Sequence, residues 1–259
     1  MTAFHAFFTT SSQYQNEART LLWELTLHQV LQLLQEAERR VRSAEGKEKY
    51  SRLPGWWRSS FTRVNGIAKT RVPLEEAISE AIVAEIENLL EEIVLNRSTM
   101  DLRNVNDLQF SLEAPRRKKQ GIGKKSKPTD IRVYRRGSEI LDLRIEAKVL
   151  VRDRDIQKSY LSSSGLKRFS DTKEPYTDNE VGGMLAYTVH GDRTAWVEKI
   201  KNGLDTSTPP IPSFQHRIND NLDEFLFCQV PYTSAKQNLR SEVLVFHMVM
   251  EFDSEPPGR

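Results

Sequence analysis

The sequence predicts a mixed α/β fold, and three observations lead to that prediction. Apolar residues recur at three- and four-residue steps over about 14–42 and 74–95, which is the period of an amphipathic helix. Apolar runs at about 130–136, 139–151 and 182–190 have the length and residue types of strands. From the second helix onward the expected order is helix, three strands, helix, strand, helix and two further strands.

The first 72 residues are expected to form an N-terminal helical region. Its helix covers about 14–42, and a loop-rich connection follows over 44–70. Trp56 and Trp57 lie side by side in that connection, where they could stack on nucleic-acid bases. We favour a packing role that anchors the helical region to the core, because tryptophan is mostly a packing residue.

The second predicted region, 73–259, begins with a helix after Pro73, a residue favoured at helix starts. The first strand of the region is expected where Leu108, Phe110 and Leu112 alternate with polar residues. Residues 115–127 carry seven cations and two glycines, which is typical of a flexible basic loop. The remaining expected elements are a helix or helical turn over 154–168, a strand over 182–190, a helix over 193–204, a loop over 206–212, and strands over 225–231 and 242–252. The apolar run at 182–190 is short, and a helix remains the alternative there.

The composition is informative about the class of protein but does not indicate which partners it binds. The chain has 259 residues and a net charge of +2, and its only cysteine is Cys228, so an intrachain disulfide is excluded. Cys228 lies in an apolar run and is interpreted as a small buried residue rather than a nucleophile. His190, His216 and His247 lack the spacing of metal ligands. No apolar stretch approaches the roughly twenty residues that a membrane span needs, and we expect a cytoplasmic protein with no membrane partner.

The chemistry is expected around three polar residues, Asp130, Glu146 and Lys148. A Gly137-Ser138 turn separates two strand-like stretches, and an acid stands in each of them. Glu146 and Lys148 are two residues apart and therefore point to one face of a strand, and a hairpin can bring Asp130 beside them. Two carboxylates and an ammonium on one sheet face predict a divalent-metal site with a cation left for phosphate or water. The alternative is a surface ion pair between Glu146 and Lys148.

The string Pro128-Thr129-Asp130, followed after sixteen residues by Glu146-Ala147-Lys148, resembles the signature of the PD-(D/E)XK nuclease superfamily. The first acid here follows Pro-Thr rather than Pro directly. The resemblance covers about residues 73–200 and implies a restriction-endonuclease-like α/β core of helix, three-strand meander, helix and strand, with the N-terminal helices as an extension. It also implies that Asp130, Glu146 and the carbonyl of Ala147 hold Mg²⁺, or Mn²⁺ in its place, while Lys148 contacts the attacking water or a phosphate oxygen.

Many members of that superfamily add a glutamate from the first core helix. At 100° per residue, Glu75 lies in phase with the apolar stripe of Ile78 and Ile82, and Glu85 lies near the stripe. Glu80 falls on the opposite side. We choose Glu75, with Glu85 in reserve, and a simple interaction of Glu75 with the helix dipole remains an equal alternative.

Cations near the motif are expected to contact the DNA backbone, which gives salt-sensitive, sequence-independent affinity. The alternative for the basic loop is a disordered solubilising segment. The residues chosen as nucleic-acid contacts are Lys118, Lys119, Lys124, Lys125, Lys127, Lys167 and Arg168, with Arg132, Arg135 and Arg136 extending the patch.

These observations lead to the expectation of a Mg²⁺-dependent endodeoxyribonuclease. The resemblance to defence-associated members implies a role against phage or foreign DNA, and an ATPase or helicase partner could license the enzyme. A homodimer would supply the two active sites that a double-strand cut needs. The alternative is a catalytically silent nucleic-acid-binding or scaffold subunit of a defence complex that keeps a nuclease-like fold.

Overall fold

The computed structural model describes residues 17–63, 69–98, 100, 102, 105–114, 129–137, 140–170, 176–177, 179–217, 223–233 and 240–255. Within these ranges the chain forms a seven-stranded mixed sheet, a two-stranded ribbon and four α-helices. The predicted α/β class is therefore confirmed. No helix in these ranges has the combination of length and apolar character needed to cross a membrane.

The helices are α1 (Glu17–Arg42), α2 (Ala44–Ser51), α3 (Glu75–Val94) and α4 (Arg193–Asp205). A short π-helical turn (Ile156–Tyr160) and a 3-10 turn (Leu166–Ser170) stand where the helical segment 154–168 was predicted. The strands are β1 (Thr62–Arg63), β2 (Lys69–Thr70), β3 (Leu108–Ala114), β4 (Thr129–Arg135), β5 (Leu141–Leu150), β6 (Val181–Thr188), β7 (Ser213–Arg217), β8 (Glu224–Thr233) and β9 (Arg240–Glu251).

The large sheet has the strand order β3-β4-β5-β6-β9-β8-β7. Strands β3, β4 and β5 form an antiparallel meander, and β6 pairs in parallel with both β5 and β9. The chain crosses from β5 to β6 through the π turn and the 3-10 turn, as a parallel connection requires. Strands β9, β8 and β7 complete the sheet in antiparallel order.

Both faces of the sheet are covered, which explains the uninterrupted apolar run of β6. Its alternate residues enter two apolar clusters: Leu185 packs with α1 and α3, while Met184 packs with the turns and α4. All eight residues of β6 are buried. A strand buried on both faces loses the polar alternation by which half-buried strands are recognised.

The N-terminal helix is built into the same core as the sheet. Trp23, Leu27 and Leu31 of α1 are fully buried in the cluster that contains α3. In the following segment, Trp56 stacks on Tyr50 with ring centroids 5.9 Å apart, in agreement with the packing interpretation of the tryptophan pair.

The sequence interpretation missed α2, the ribbon of β1 and β2 within the expected loop 44–70, and β7. Residues 44–51, expected to be loop, form α2, which begins where the Ser43 hydroxyl accepts a hydrogen bond from the Gly46 amide at 3.0 Å. Strand β7 was not predicted either. It is a five-residue edge strand with only partly buried or exposed residues, so it lacks a hydrophobic signal.

Candidate active site

The predicted site lies at a fork in the sheet, where β4 and β5 separate. The two strands pair from Arg135–Leu141 to Ile131–Ile145, and the pairing ends there. The next two amides of β5 that lack a β4 partner are those of Ala147 and Val149. Backbone N–H groups away from water require acceptors, and side-chain carboxylates supply them here.

Asp130 and Glu75 are those acceptors. Asp130 Oδ2 accepts from the Ala147 amide at 2.7 Å, and Glu75 Oε2 accepts from the Val149 amide at 3.0 Å. Asp130 comes from β4 and Glu75 from the first turn of α3, so the fork is closed by side chains from two different elements. The helix-phase argument thus identified the glutamate of α3 that reaches β5.

The Lys148 ammonium lies at the centre of the cluster. Its Nζ donates to Glu146 Oε1 at 2.7 Å, to the Ala147 carbonyl at 2.7 Å and to Glu75 Oε1 at 3.0 Å. The side chains of Lys148 and Glu146 are 14% and 7% exposed, so this is a buried ion pair rather than the surface pair considered as an alternative. Four predicted residues, Glu75, Asp130, Glu146 and Lys148, are therefore brought together.

Burial and mutual charge perturb the pKa values of the cluster. Burial, followed by the Glu146 carboxylate, raises the pKa of Asp130 to about 7. Burial also raises the pKa of Glu146. Burial alone would lower the pKa of Lys148, but the neighbouring carboxylates, Glu146 first, outweigh it and raise the pKa. The lysine is consequently held as a cation, whereas Asp130 and Glu146 are more readily protonated than free carboxylates.

One oxygen of the cluster is left without a donor. Glu146 Oε2 is buried and accepts no hydrogen bond from the residues that the structure describes. Tyr176 lies beside this carboxylate, where burial and then the charge of Glu146 raise the pKa of the tyrosine. The Tyr176 hydroxyl donates to the Ser164 carbonyl at 3.2 Å. The position of Tyr176 beside Glu146 is a tertiary feature with no sequence signal.

The reserve glutamate does not reach the site. Glu85 accepts hydrogen bonds from the Tyr50 hydroxyl and, at 2.9 Å, from Lys49, so it ties α3 to α2. Glu80 is exposed, as its helix phase predicted.

The predicted nucleic-acid contacts have different outcomes. Lys118, Lys119, Lys124, Lys125 and Lys127 lie outside the described residues, and their assignment stays a prediction. Lys167 is exposed in the 3-10 turn, whereas Arg168 is buried with its guanidinium 4.5 Å from the centroid of the Tyr176 ring.

The proposed extension of the basic patch is wrong for Arg135. This residue is 1% exposed, and its guanidinium binds Asp107 at 2.9 Å and the side chains of Thr26 and Gln29 at 2.6 Å each. It joins β4 to α1 and cannot face a nucleic acid.

A metal-binding role can be tested against the donor atoms. No group of three or more His, Cys, Asp or Glu side chains within the described ranges is arranged to hold a metal ion. The predicted ligands are the carboxylates of Asp130 and Glu146 and the carbonyl of Ala147, so they include only two side chains of these types. Their oxygen atoms are of the type that Mg²⁺ prefers, and the unpartnered Glu146 Oε2 could accept a cation. The donor chemistry therefore fits a hard divalent cation.

A second polar cluster was missed because it lies inside the core. His247 is 2% exposed, with Nδ1 3.0 Å from the Tyr160 hydroxyl and Nε2 3.1 Å from Cys228 Sγ. Burial lowers the pKa of His247 to about 3, which keeps the ring neutral, and raises the pKa of Cys228. Cys228 is thus a buried thiol, as the sequence indicated, and not an activated nucleophile.

Comparisons of the chain with protein-family models, with curated proteins and with solved structures find no match.

Proposed function

We propose that this chain is a metal-dependent nuclease that hydrolyses DNA phosphodiester bonds at the fork between β4 and β5. The observation that carries the proposal is that the Glu146 and Glu75 carboxylates both bind the Lys148 ammonium, while the Asp130 carboxylate binds the amide of the neighbouring Ala147. Helix α3, the antiparallel meander, the helical turns and the parallel strand β6 follow in the order expected of a PD-(D/E)XK core. The order of the elements supports the family resemblance in addition to the sequence motif.

Asp130, Glu146 and the Ala147 carbonyl would hold Mg²⁺, with Mn²⁺ as a substitute. The ion would polarise a phosphoryl oxygen and lower the pKa of a bound water. Lys148 would donate to the attacking water or to a non-bridging oxygen, where a compact ammonium suits phosphate. Glu75 would act as a positioning residue, because it binds both Lys148 Nζ and the Val149 amide.

Defence against phage or foreign DNA is the context we propose for this activity, on the strength of the resemblance to defence-associated nucleases. In that setting the enzyme would work in the cytoplasm. Two copies of the chain, or an ATPase or helicase partner, would give the control that a host needs over a nuclease.

A second candidate function rests on the same contacts. The Lys148 ammonium binds three oxygens of the cluster and so ties β5 to α3 without any metal. A closed ion network of this kind is what a catalytically silent, nucleic-acid-binding or scaffold subunit would retain. The two functions differ in whether a divalent ion displaces the ammonium from these oxygens.

Cleavage of plasmid and linear DNA, with Mg²⁺, Mn²⁺ or EDTA, separates the two functions. We expect the wild type to cut only with a divalent ion, and Asp130→Asn to be inactive while keeping an oxygen for the Ala147 amide. Glu80→Gln serves as the control, because it removes an exposed charge from the same helix as Glu75. DNA binding without cleavage by the wild type, under every metal condition, would identify the silent subunit.

A further inference from the structure

Among the residues that the structure describes, Arg168 is a buried arginine without an ionic partner. It is 7% exposed, and in the described part of the chain its guanidinium makes neither a hydrogen bond nor an ion pair. The other two buried arginines there are paired: Arg135 with Asp107 at 2.9 Å and Arg144 with Asp142 at 2.9 Å. Because buried polar side chains usually have a hydrogen-bond partner, Arg168 is a candidate to bind an anion from outside the chain.

The surroundings of Arg168 hold its guanidinium in place. The guanidinium carbon lies 4.5 Å from the centroid of the Tyr176 ring, a cation–π distance, and the Tyr176 amide donates to the Arg168 carbonyl at 3.1 Å. Phe169 packs edge-on against Tyr176 at 5.2 Å. Gly182 makes room for Phe169, since a Cβ at this position would lie 2.2 Å from the ring. A planar cation fixed in this way is ready to bind a planar or tetrahedral oxyanion without further ordering.

The same tyrosine lies between this cation and the acidic cluster. The Tyr176 hydroxyl lies beside Glu146, whose Oε2 has no hydrogen-bond partner in the described ranges. The Tyr176 ring contacts the Arg168 guanidinium. Arg168 and Glu146, both in the described part of the chain, form no ion pair with each other. Among the described residues, Tyr176 thus has an arginine without an ion pair against its ring and the Glu146 carboxylate beside its hydroxyl. A phosphate accompanied by a divalent cation would satisfy both at once.

We propose that Arg168 binds a backbone phosphate of the nucleic acid beside the fork, and that Tyr176 is the residue that positions it. The guanidinium presents two parallel N–H groups, which match two non-bridging oxygens of one phosphate. This subsite rests on the proposed function, because it assigns a phosphodiester strand as the ligand of the same site. Lys167, next in the chain, is exposed and is not part of the subsite.

Binding of a short DNA duplex, followed by fluorescence anisotropy in EDTA over a series of salt concentrations, tests the assignment without requiring cleavage. We expect Arg168→Gln to weaken binding about ten-fold, as loss of a charged hydrogen-bonded contact does, and to lower the salt slope by about 0.9. Arg168→Lys should keep the slope and still bind more weakly, because an ammonium cannot bind two oxygens in parallel.

Two further variants distinguish positioning from general packing. Tyr176→Leu should weaken binding although Arg168 is present, and Tyr176→Phe, which keeps the ring, should restore the affinity. Arg39→Gln is the matched charge control. Arg39 is 70% exposed, and its neighbour Arg40 pairs with Glu92 at the far end of α3, about 25 Å along the helix from Glu75.

Each outcome bears on one proposal or the other. If the wild type cleaves DNA and Arg168→Gln binds like Arg39→Gln, the subsite is overturned and the nuclease stands. Weaker binding by Arg168→Gln, from a wild type that never cleaves, supports the subsite and removes the hydrolase. A wild type that binds no nucleic acid overturns both. Should Arg168→Gln fail to melt cooperatively, Arg168→Lys decides: weaker binding with an unchanged salt slope supports the subsite, and full affinity refutes it.

Discussion

Replacing Lys148 with Met removes the cation that binds Glu146 and Glu75 in the acidic cluster. The side chains of Lys148, Glu146 and Glu75 are 14%, 7% and 20% exposed, so the change leaves buried carboxylates without their counter-charge. Removing one partner of a buried ion pair costs about 3–5 kcal/mol. For a chain of this size that loss corresponds to a fall in melting temperature of about 10 °C.

The measurement is thermal unfolding of Lys148→Met and wild type, each in EDTA and in saturating Mg²⁺. If the oxygens of Glu146 and Ala147 form a cation site, Mg²⁺ should stabilise the variant more than the wild type, because no ammonium competes for them. An ion present at about a hundred times its Kd would contribute about 2.7 kcal/mol. The variant should nevertheless be unable to cut DNA.

The control is Lys199→Met. Lys199 pairs with Asp153 at 2.8 Å, but the two side chains are 42% and 73% exposed, so the loss should stay below about 1 kcal/mol. If Lys148→Met in EDTA melts like this control, the ammonium does not hold the cluster together. If Mg²⁺ stabilises both proteins equally, the oxygens around Lys148 are not a cation site.

Three further predictions concern single residues. His247 is neutral in the fold, with its pKa lowered to about 3, and below its ordinary pKa it takes up a proton when the chain unfolds, so acid destabilises the wild type. Between pH 6.5 and 4.5 the free energy of unfolding, measured by urea titration, should fall by about 2.5 kcal/mol. A His247→Gln variant with the same dependence on pH would contradict this prediction. Gly183→Ala would place a Cβ 2.4 Å from the Phe246 ring and should lower the free energy of unfolding by about 1–3 kcal/mol. Adding Phe246→Leu should recover part of that loss, whereas additive losses in the double variant would show that the two residues do not clash. Glu75→Gln keeps an acceptor for the Val149 amide but loses the charge that binds Lys148, so cleavage should fall at least about ten-fold, whereas equal activity would leave Glu75 with a purely structural role.

The sequence was sufficient to predict the elements in which apolar and polar residues alternate with a regular period. The phase of α3 placed Glu75 toward the sheet and Glu80 in solvent, and both positions are as expected. The pattern of β6 was ambiguous between helix and strand, since a strand buried on both sides has no alternation. Helix α2 was missed because only Gly46 and Tyr50 of its eight residues are buried, which leaves no apolar stripe.

The parts of the site that could not be predicted are those that depend on tertiary contacts. Nothing in the local sequence distinguishes Arg168, buried and stacked on Tyr176, from the exposed Lys167 beside it. Spacing likewise could not show that Arg135 turns inward to Asp107. Charge counts along a chain record where cations occur, whereas burial and partners decide which of them can meet a ligand.

The fork also changes how the acidic motif should be tested. Asp130 and Glu75 each bind a backbone amide of β5, so these carboxylates support the fold as well as any chemistry. Asp130→Ala would leave the Ala147 amide unsatisfied, at a cost of about 1–3 kcal/mol, and a loss of cleavage could then reflect local opening. Asp130→Asn keeps the acceptor and removes only the charge. If the Asn variant melts like the wild type and does not cut, the charge of Asp130 is required for catalysis; if it cuts normally, Asp130 serves the strand and not the metal.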